Sequence, residues 1–161
     1  MPAAANTPAR RRVMKPARVA GLSRHTTSLH TGFSVTKLTK ERMPVLPFLR
    51  MKDAVLGKKF VLSLVVADDA YTQTLNRQYR KKTYIPNVLS FPLSEDEGEI
   101  ILNLKQARRE CGNRAESFRY FVALLFIHSS LHLKGYRHGS TMEEQEQKFL
   151  SKFHITNTFR S

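Results

Sequence analysis

The chain has no tryptophan and a single cysteine, Cys111, in 161 residues. One cysteine excludes an internal disulfide and leaves no second thiol for a zinc knuckle, so Cys111 reads as an inert small side chain. Acidic residues are scarce as well. Thirteen Asp and Glu stand against 27 Lys and Arg, a net charge of +14, and residues 1–40 hold eight basic side chains and no acid. Long apolar runs are missing too. The longest, Phe121 to Ile127, is far too short to cross a bilayer of about 30 Å. No internal repeat is visible. These absences exclude a disulfide scaffold, a membrane-spanning helix and a repeat array.

What remains has ordinary proportions. With 41% hydrophobic and 25% charged residues, a chain of this length forms one domain with a sizeable core. The excess of positive charge favours a polyanionic partner, nucleic acid being the commonest, although charge alone does not separate RNA from DNA or from an acidic membrane surface.

Residues 1–31 are rich in Ala, Arg, Ser and Thr, contain three prolines and show no sustained period. They are expected to form a basic, disordered N-terminal extension. Three readings of it stay open: an RNA-binding tail, an extension upstream of the true start, or an organellar transit peptide. It contains no apolar stretch of signal-peptide type, so a cytoplasmic protein is expected. The domain itself is expected over 32–156, with a short tail at 157–161.

Within the domain, Phe33, Val35 and Leu38 suggest a first short strand. Val45 to Leu56 has helical spacing and stops at Gly57. Lys59 to Ala67 is apolar and β-branched, a strand. Asp68 or Asp69 caps a helix to Arg80 that buries Tyr71, Leu75 and Tyr79. Asn87 to Leu93 and Gly98 to Leu104 read as a hairpin around the acidic turn Ser94-Glu95-Asp96-Glu97. A short helix around Lys105–Glu110 follows. Ser117 then opens a long helix, apolar nearly all round from Phe118 to Leu133 and so expected at the domain centre. Ser140 or Thr141, with Glu143 or Glu144 three residues on, reads as a capping box for a last helix. The pattern predicts an α+β domain, with one small mixed sheet of about four strands packed with about five helices.

Three of the six histidines fall within eleven residues, His128-Ser-Ser-Leu-His132-Leu-Lys-Gly-Tyr-Arg-His138. On a helix His128 and His132 stack one turn apart on the same face. Gly135 and Tyr136 end the helix and return the chain, which brings His138 in as a third ligand. Three neutral imidazoles hold one divalent ion, zinc above all, and leave a fourth position open, as catalytic sites do. Nickel, copper or iron also suit such a donor set. The bland alternative is a chance pair on a core helix, but a third histidine just past a glycine break is hard to reach by chance. The same offsets occur in metzincin proteases, whose glutamate after the first histidine is the general base. Here that residue is Ser129, and a peptidase loses its chemistry.

The stretch His128 to His138 resembles the H-G-x-L-H-L-x-G-Y-D-H motif of the YbeY family of endoribonucleases. Residues 75–93, LNRQYRKKTYIPNVLSFPL, are similar to that family's L-N-x-x-Y-R-x-x-x-x-P-T-N-V-L-S-F-P, and Gly98-Glu99-Ile100 to its G-D-I. The three blocks occur in the family's order and spacing. The resemblance implies a metal-dependent endoribonuclease specific for single strands, acting in ribosomal RNA maturation at the 3′ end of small-subunit rRNA and in ribosome quality control. It implies His128, His132 and His138 as ligands of one Zn2+ per chain, and Arg80 as a catalytic arginine in the groove, meeting RNA phosphate. Arg77, Lys81, Lys82 and Arg137 are candidate RNA contacts. The small ribosomal subunit is the implied partner, and no membrane is.

The chain departs from the family pattern in four places: Arg137 replaces an aspartate, Ser129 a glycine and Glu99 an aspartate, and Ile85-Pro86 replaces Pro-Thr. None of these removes a ligand. The competing reading is an RNA-binding ribosome-assembly factor in which the metal is structural. No general base is identifiable from the sequence.

Overall fold

A computed structural model of the protein describes residues 26–28, in backbone only, and 32–160. The expected disorder of residues 1–31 therefore falls outside the described residues, except at Thr26–Ser28, which form a strand. That strand, β1 (Thr26–Ser28), is followed by β2 (Phe33–Lys37), α1 (Phe48–Leu56), β3 (Val61–Val66), α2 (Asp69–Arg80), β4 (Val88–Pro92), β5 (Glu97–Leu102), α3 (Leu104–Asn113), α4 (Phe118–Lys134) and α5 (Ser140–Lys152).

The sheet is mixed and five-stranded, in the order β1-β2-β3-β5-β4. The α+β class stands as expected. β1 adds a strand to the four read from the sequence, antiparallel to β2 with Thr27 opposite Val35. β2, β3 and β5 run parallel, Leu64 pairing with Val35 on one side and Ile100 on the other. β4 pairs antiparallel with β5, Ser90 opposite Ile100, which makes the expected hairpin and leaves β4 at the sheet's edge.

Parallel strands buried on both faces carry apolar residues at successive positions, and β3 and β5 do so. Leu62, Leu64, Val66, Ile100 and Leu102 face a core shared with α1, α3, α4 and α5. Val65, Ala67 and Ile101 face a smaller core under α2, with Leu75, Leu89 and Phe91 buried and Tyr71 and Tyr79 packed at its edge. The centre of the larger core is α4, from which Phe121, Val122, Ala123, Phe126, Ile127 and Leu131 are buried. At its C-terminal end α4 lies hard on β5. A Cβ built on Gly98 would stand 2.9 Å from Leu133 Cδ1, so any larger residue there would push the Leu133 side chain aside.

Two expected starts shift. The first helix begins at Phe48 rather than Val45, because Pro47 bars helical geometry at Leu46 before it. The capping box on α5 does not form. Gly139 is its N-cap, no side-chain cap bond is present, and Ser140 already lies in the first turn, past the position from which a hydroxyl caps. Elsewhere the caps follow the sequence: Asp68 accepts from the Tyr71 N–H at 2.8 Å and Ser117 from the Tyr120 N–H at 3.4 Å.

Candidate metal centre

α4 carries His128 and His132 on the face that meets α5, the edge strand β4 and the chain after Gly135. Gly135 takes φ 109°, a left-handed conformation open to glycine, and its N–H bonds the carbonyls of Leu131 and His132. The chain thus reverses within one residue. Tyr136 returns its carbonyl to His132 Nδ1 at 3.0 Å, and His138 arrives beside both helical histidines. Its ring centroid is 5.0 Å from that of His128 and 4.5 Å from that of His132.

One ligand atom from each of the three imidazoles can be chosen so that all lie within 4.8 Å of one another. The hydrogen bonds behind them decide which nitrogens face inward. A carbonyl only accepts, so His132 Nδ1 carries the hydrogen it gives to Tyr136, and Nε2 is left with its lone pair. On His128, Nδ1 faces Glu146 Oε1 at 2.5 Å, a carboxylate that accepts in the same way. The two Nε2 atoms then face each other at 3.0 Å. In the neutral rings these two nitrogens are the donors that a shared cation takes. Carbonyl and carboxylate partners on the outer nitrogens of metal-binding histidines are the usual means of fixing tautomer and ring orientation. The donor set and its supports therefore fit a divalent ion.

The histidines form one wall of an open groove of about 520 Å³ between α4, α5, α3 and the edge strand β4. Arg80, at the end of α2, lines it together with Tyr84, Pro86, Asn87, Val88, Ser90 and Arg114. The structure thus brings Arg80 and the three histidines to one groove. Arg77, Lys81, Lys82 and Arg137 are exposed and do not line it. Lys81 closes α2 in a left-handed conformation, φ 57°, and its ammonium reaches the Gln78 carbonyl at 3.4 Å.

Sequence reasoning missed the carboxylates. Glu110, Glu143 and Glu146 all line the groove. Glu110 is fixed by two amide donors, Asn87 Nδ2 and Gln106 Nε2, each at 2.7 Å. Glu143 and Glu146 lie three apart on α5, a spacing that marks one helix face and was legible in the sequence. What that face would meet was not. Ser129, in the glycine position of the resembled motif, is buried and lines the groove with α4's other residues.

Residues 27–158 match the protein family described as Endoribonuclease YbeY. The chain is 37% identical over 105 residues to the Endoribonuclease YbeY of Carboxydothermus hydrogenoformans, covering 59% of this chain and 73% of that protein. It is 34% identical over 116 residues to the protein of the same name from Pelotomaculum thermopropionicum, covering 62% and 76%. A solution structure of a Thermotoga maritima protein superposes with a TM-score of 0.51 at 23% identity, over 66% of this chain and 78% of the other, a likeness of fold alone.

Proposed function

The chain belongs to the YbeY endoribonuclease family and is a hydrolase acting on RNA, and on that footing we propose that it is a metal-dependent endoribonuclease cutting single-stranded RNA. Its task in this reading is ribosomal RNA maturation at the 3′ end of small-subunit rRNA, and ribosome quality control on the small subunit. The observation that carries the reading is the convergence of His128, His132 and His138 in an open groove of a chain with net charge +14.

His128, His132 and His138 would hold the ion, which three imidazoles make a zinc site first. A divalent ion bound there supplies Lewis acidity toward a phosphoryl oxygen and lowers the pKa of water. The chain's own groups do the rest. Glu146 and the Tyr136 carbonyl keep two imidazoles in the tautomer that presents Nε2. Arg80 binds the scissile phosphate through its planar fork and meets the charge that develops on it during attack. Both oxygens of Glu110 and one of Glu146 are engaged, by Asn87, Gln106 and His128, and Glu143, an exposed residue of the groove lining, is the carboxylate that takes the proton released on attack. Arg77, Lys81, Lys82 and Arg137 contact the RNA backbone outside the groove, where their contribution falls with salt. No helix among the described residues is long and apolar enough to cross a membrane.

The test is cleavage of a single-stranded RNA resembling a precursor 3′ end, by the wild type and by His132→Ala purified identically. Cleavage by the wild type alone is expected. Equal cleavage by both sinks the site. Silence of both with RNA still bound replaces the nuclease by an RNA-binding assembly factor.

A further inference from the structure

The groove contains an aromatic ring that neither core uses. Tyr84 is 56% exposed, although Tyr71, Tyr79 and Tyr136 pack against the cores. It lines the groove together with Arg80 and the histidines. A large apolar ring left at the surface forgoes its burial energy, and its main chain is held far more firmly than an idle loop requires. Asn76, fully buried, donates from Nδ2 to the Tyr84 carbonyl at 2.9 Å. Gln73 Nε2 donates to the neighbouring Thr83 carbonyl at 2.8 Å. The Asn76 carbonyl in turn accepts the N–H of Lys82 at 3.2 Å. On the other side Pro86 is buried and confines Ile85 to extended geometry. Both flanks of Tyr84 are thus pinned to the body of the domain while its ring stands free in the groove.

Such a ring has two rotatable bonds to lose on binding, so it offers a flat contact face at low entropic cost. The ligand chemistry follows from the neighbours. Arg80 and Arg114 line the same groove as Tyr84, and because Arg114 is ion-paired with Glu116 and lies over the Phe121 ring, Arg80 is the arginine left to meet a phosphodiester whose base is turned onto the Tyr84 ring. A base inside a duplex has no face to offer. We propose that Tyr84 is a nucleobase-stacking platform that holds one unpaired base of the RNA beside the phosphate bound by Arg80, and that it thereby sets the preference for single strands. The inference rests on the endoribonuclease reading above and adds to it the residue that reads the strand's state.

The test measures binding of the full-length protein to a short single-stranded RNA carrying 2-aminopurine, and to a duplex of the same length. Wild type, Tyr84→Phe and Tyr84→Ala are compared. Stacking of one base is worth about 1–3 kcal/mol, so Tyr84→Ala should weaken single-strand binding by about 5- to 150-fold and remove the change in 2-aminopurine fluorescence. Tyr84→Phe should retain both, and duplex binding should be the same in all three. Single-strand affinity of Tyr84→Ala equal to wild type overturns the platform and leaves the nuclease reading standing. Equal losses on single strand and duplex overturn it as well, since the residue then supports the fold or the general charge. Wild type that binds neither RNA overturns the platform together with the reading beneath it.

Discussion

Glu146 Oε1 lies 2.5 Å from His128 Nδ1, across a separation of 18 residues and from a different helix. His132 has its equivalent partner only four residues away, the carbonyl of Tyr136. The two helical imidazoles are therefore oriented by different means, one by tertiary packing of α5 on α4 and one by the local turn after Gly135.

That difference predicts how each support fails. Glu146→Ala should lower zinc affinity by about 10- to 100-fold, the usual cost of losing an outer partner of a ligating histidine, while Glu146→Gln, which still accepts through its amide oxygen, should lose less. Competition with a chromophoric chelator measures it. Unchanged affinity in the alanine variant would mean that Glu146 does not orient His128.

Arg80→Glu should abolish most RNA cleavage and leave zinc content near one per chain, because Arg80 lines the groove but is no part of the histidine cluster. Cleavage rate and metal content on the same preparation check this. A parallel loss of both would make Arg80 a structural residue.

An ion bound by the folded state alone stabilises it by mass action, about 2.7 kcal/mol at a hundred times its dissociation constant. Thermal unfolding should therefore shift upward as zinc is titrated in, and a chelator should reverse the shift. In His138→Ala, which keeps both histidines of α4, the shift should shrink while the zinc-free protein unfolds as before.

Glu99 lies on the α2 face of β5, and burial pushes its carboxyl up from 4.5 to about 7. The group facing it is Tyr71, whose pKa rises through its own burial and through the Glu99 charge. The folded state holds the Glu99 proton more tightly than the unfolded chain, so its contribution is fully present below pH 4.5. That contribution is lost progressively as pH climbs through about 7, and amounts to roughly 3 kcal/mol. Urea unfolding at pH 5 and pH 8 should show Glu99→Gln more stable than wild type at pH 8, and the gap nearly closed at pH 5.

Much of this was legible in the one-dimensional pattern. The caps at Asp68 and Ser117, the hairpin from Asn87 to Leu104, and the helix carrying His128 and His132 follow from residue types within a few positions of one another. The histidine site was legible for the same reason: a four-residue step on a helix and a glycine turn place three imidazoles together by local geometry alone. The capping box at Ser140 misled because the chain enters α5 through Gly139 at φ 151°, which puts Ser140 inside the first turn.

Periodicity, caps and turn residues are local interactions, so the amino-acid order by itself determined the α+β class, most element boundaries and the three clustered histidines. The order β1-β2-β3-β5-β4, the engagement of His128 by Glu146, the clamp on Glu110 by Asn87, and the pinning of Tyr84 by Asn76 were decided only by tertiary structure. They join residues that are distant in the chain, or lie across a loop with no period of its own. What brings them together is the burial of apolar faces around α4 and under α2, which no short window of sequence contains.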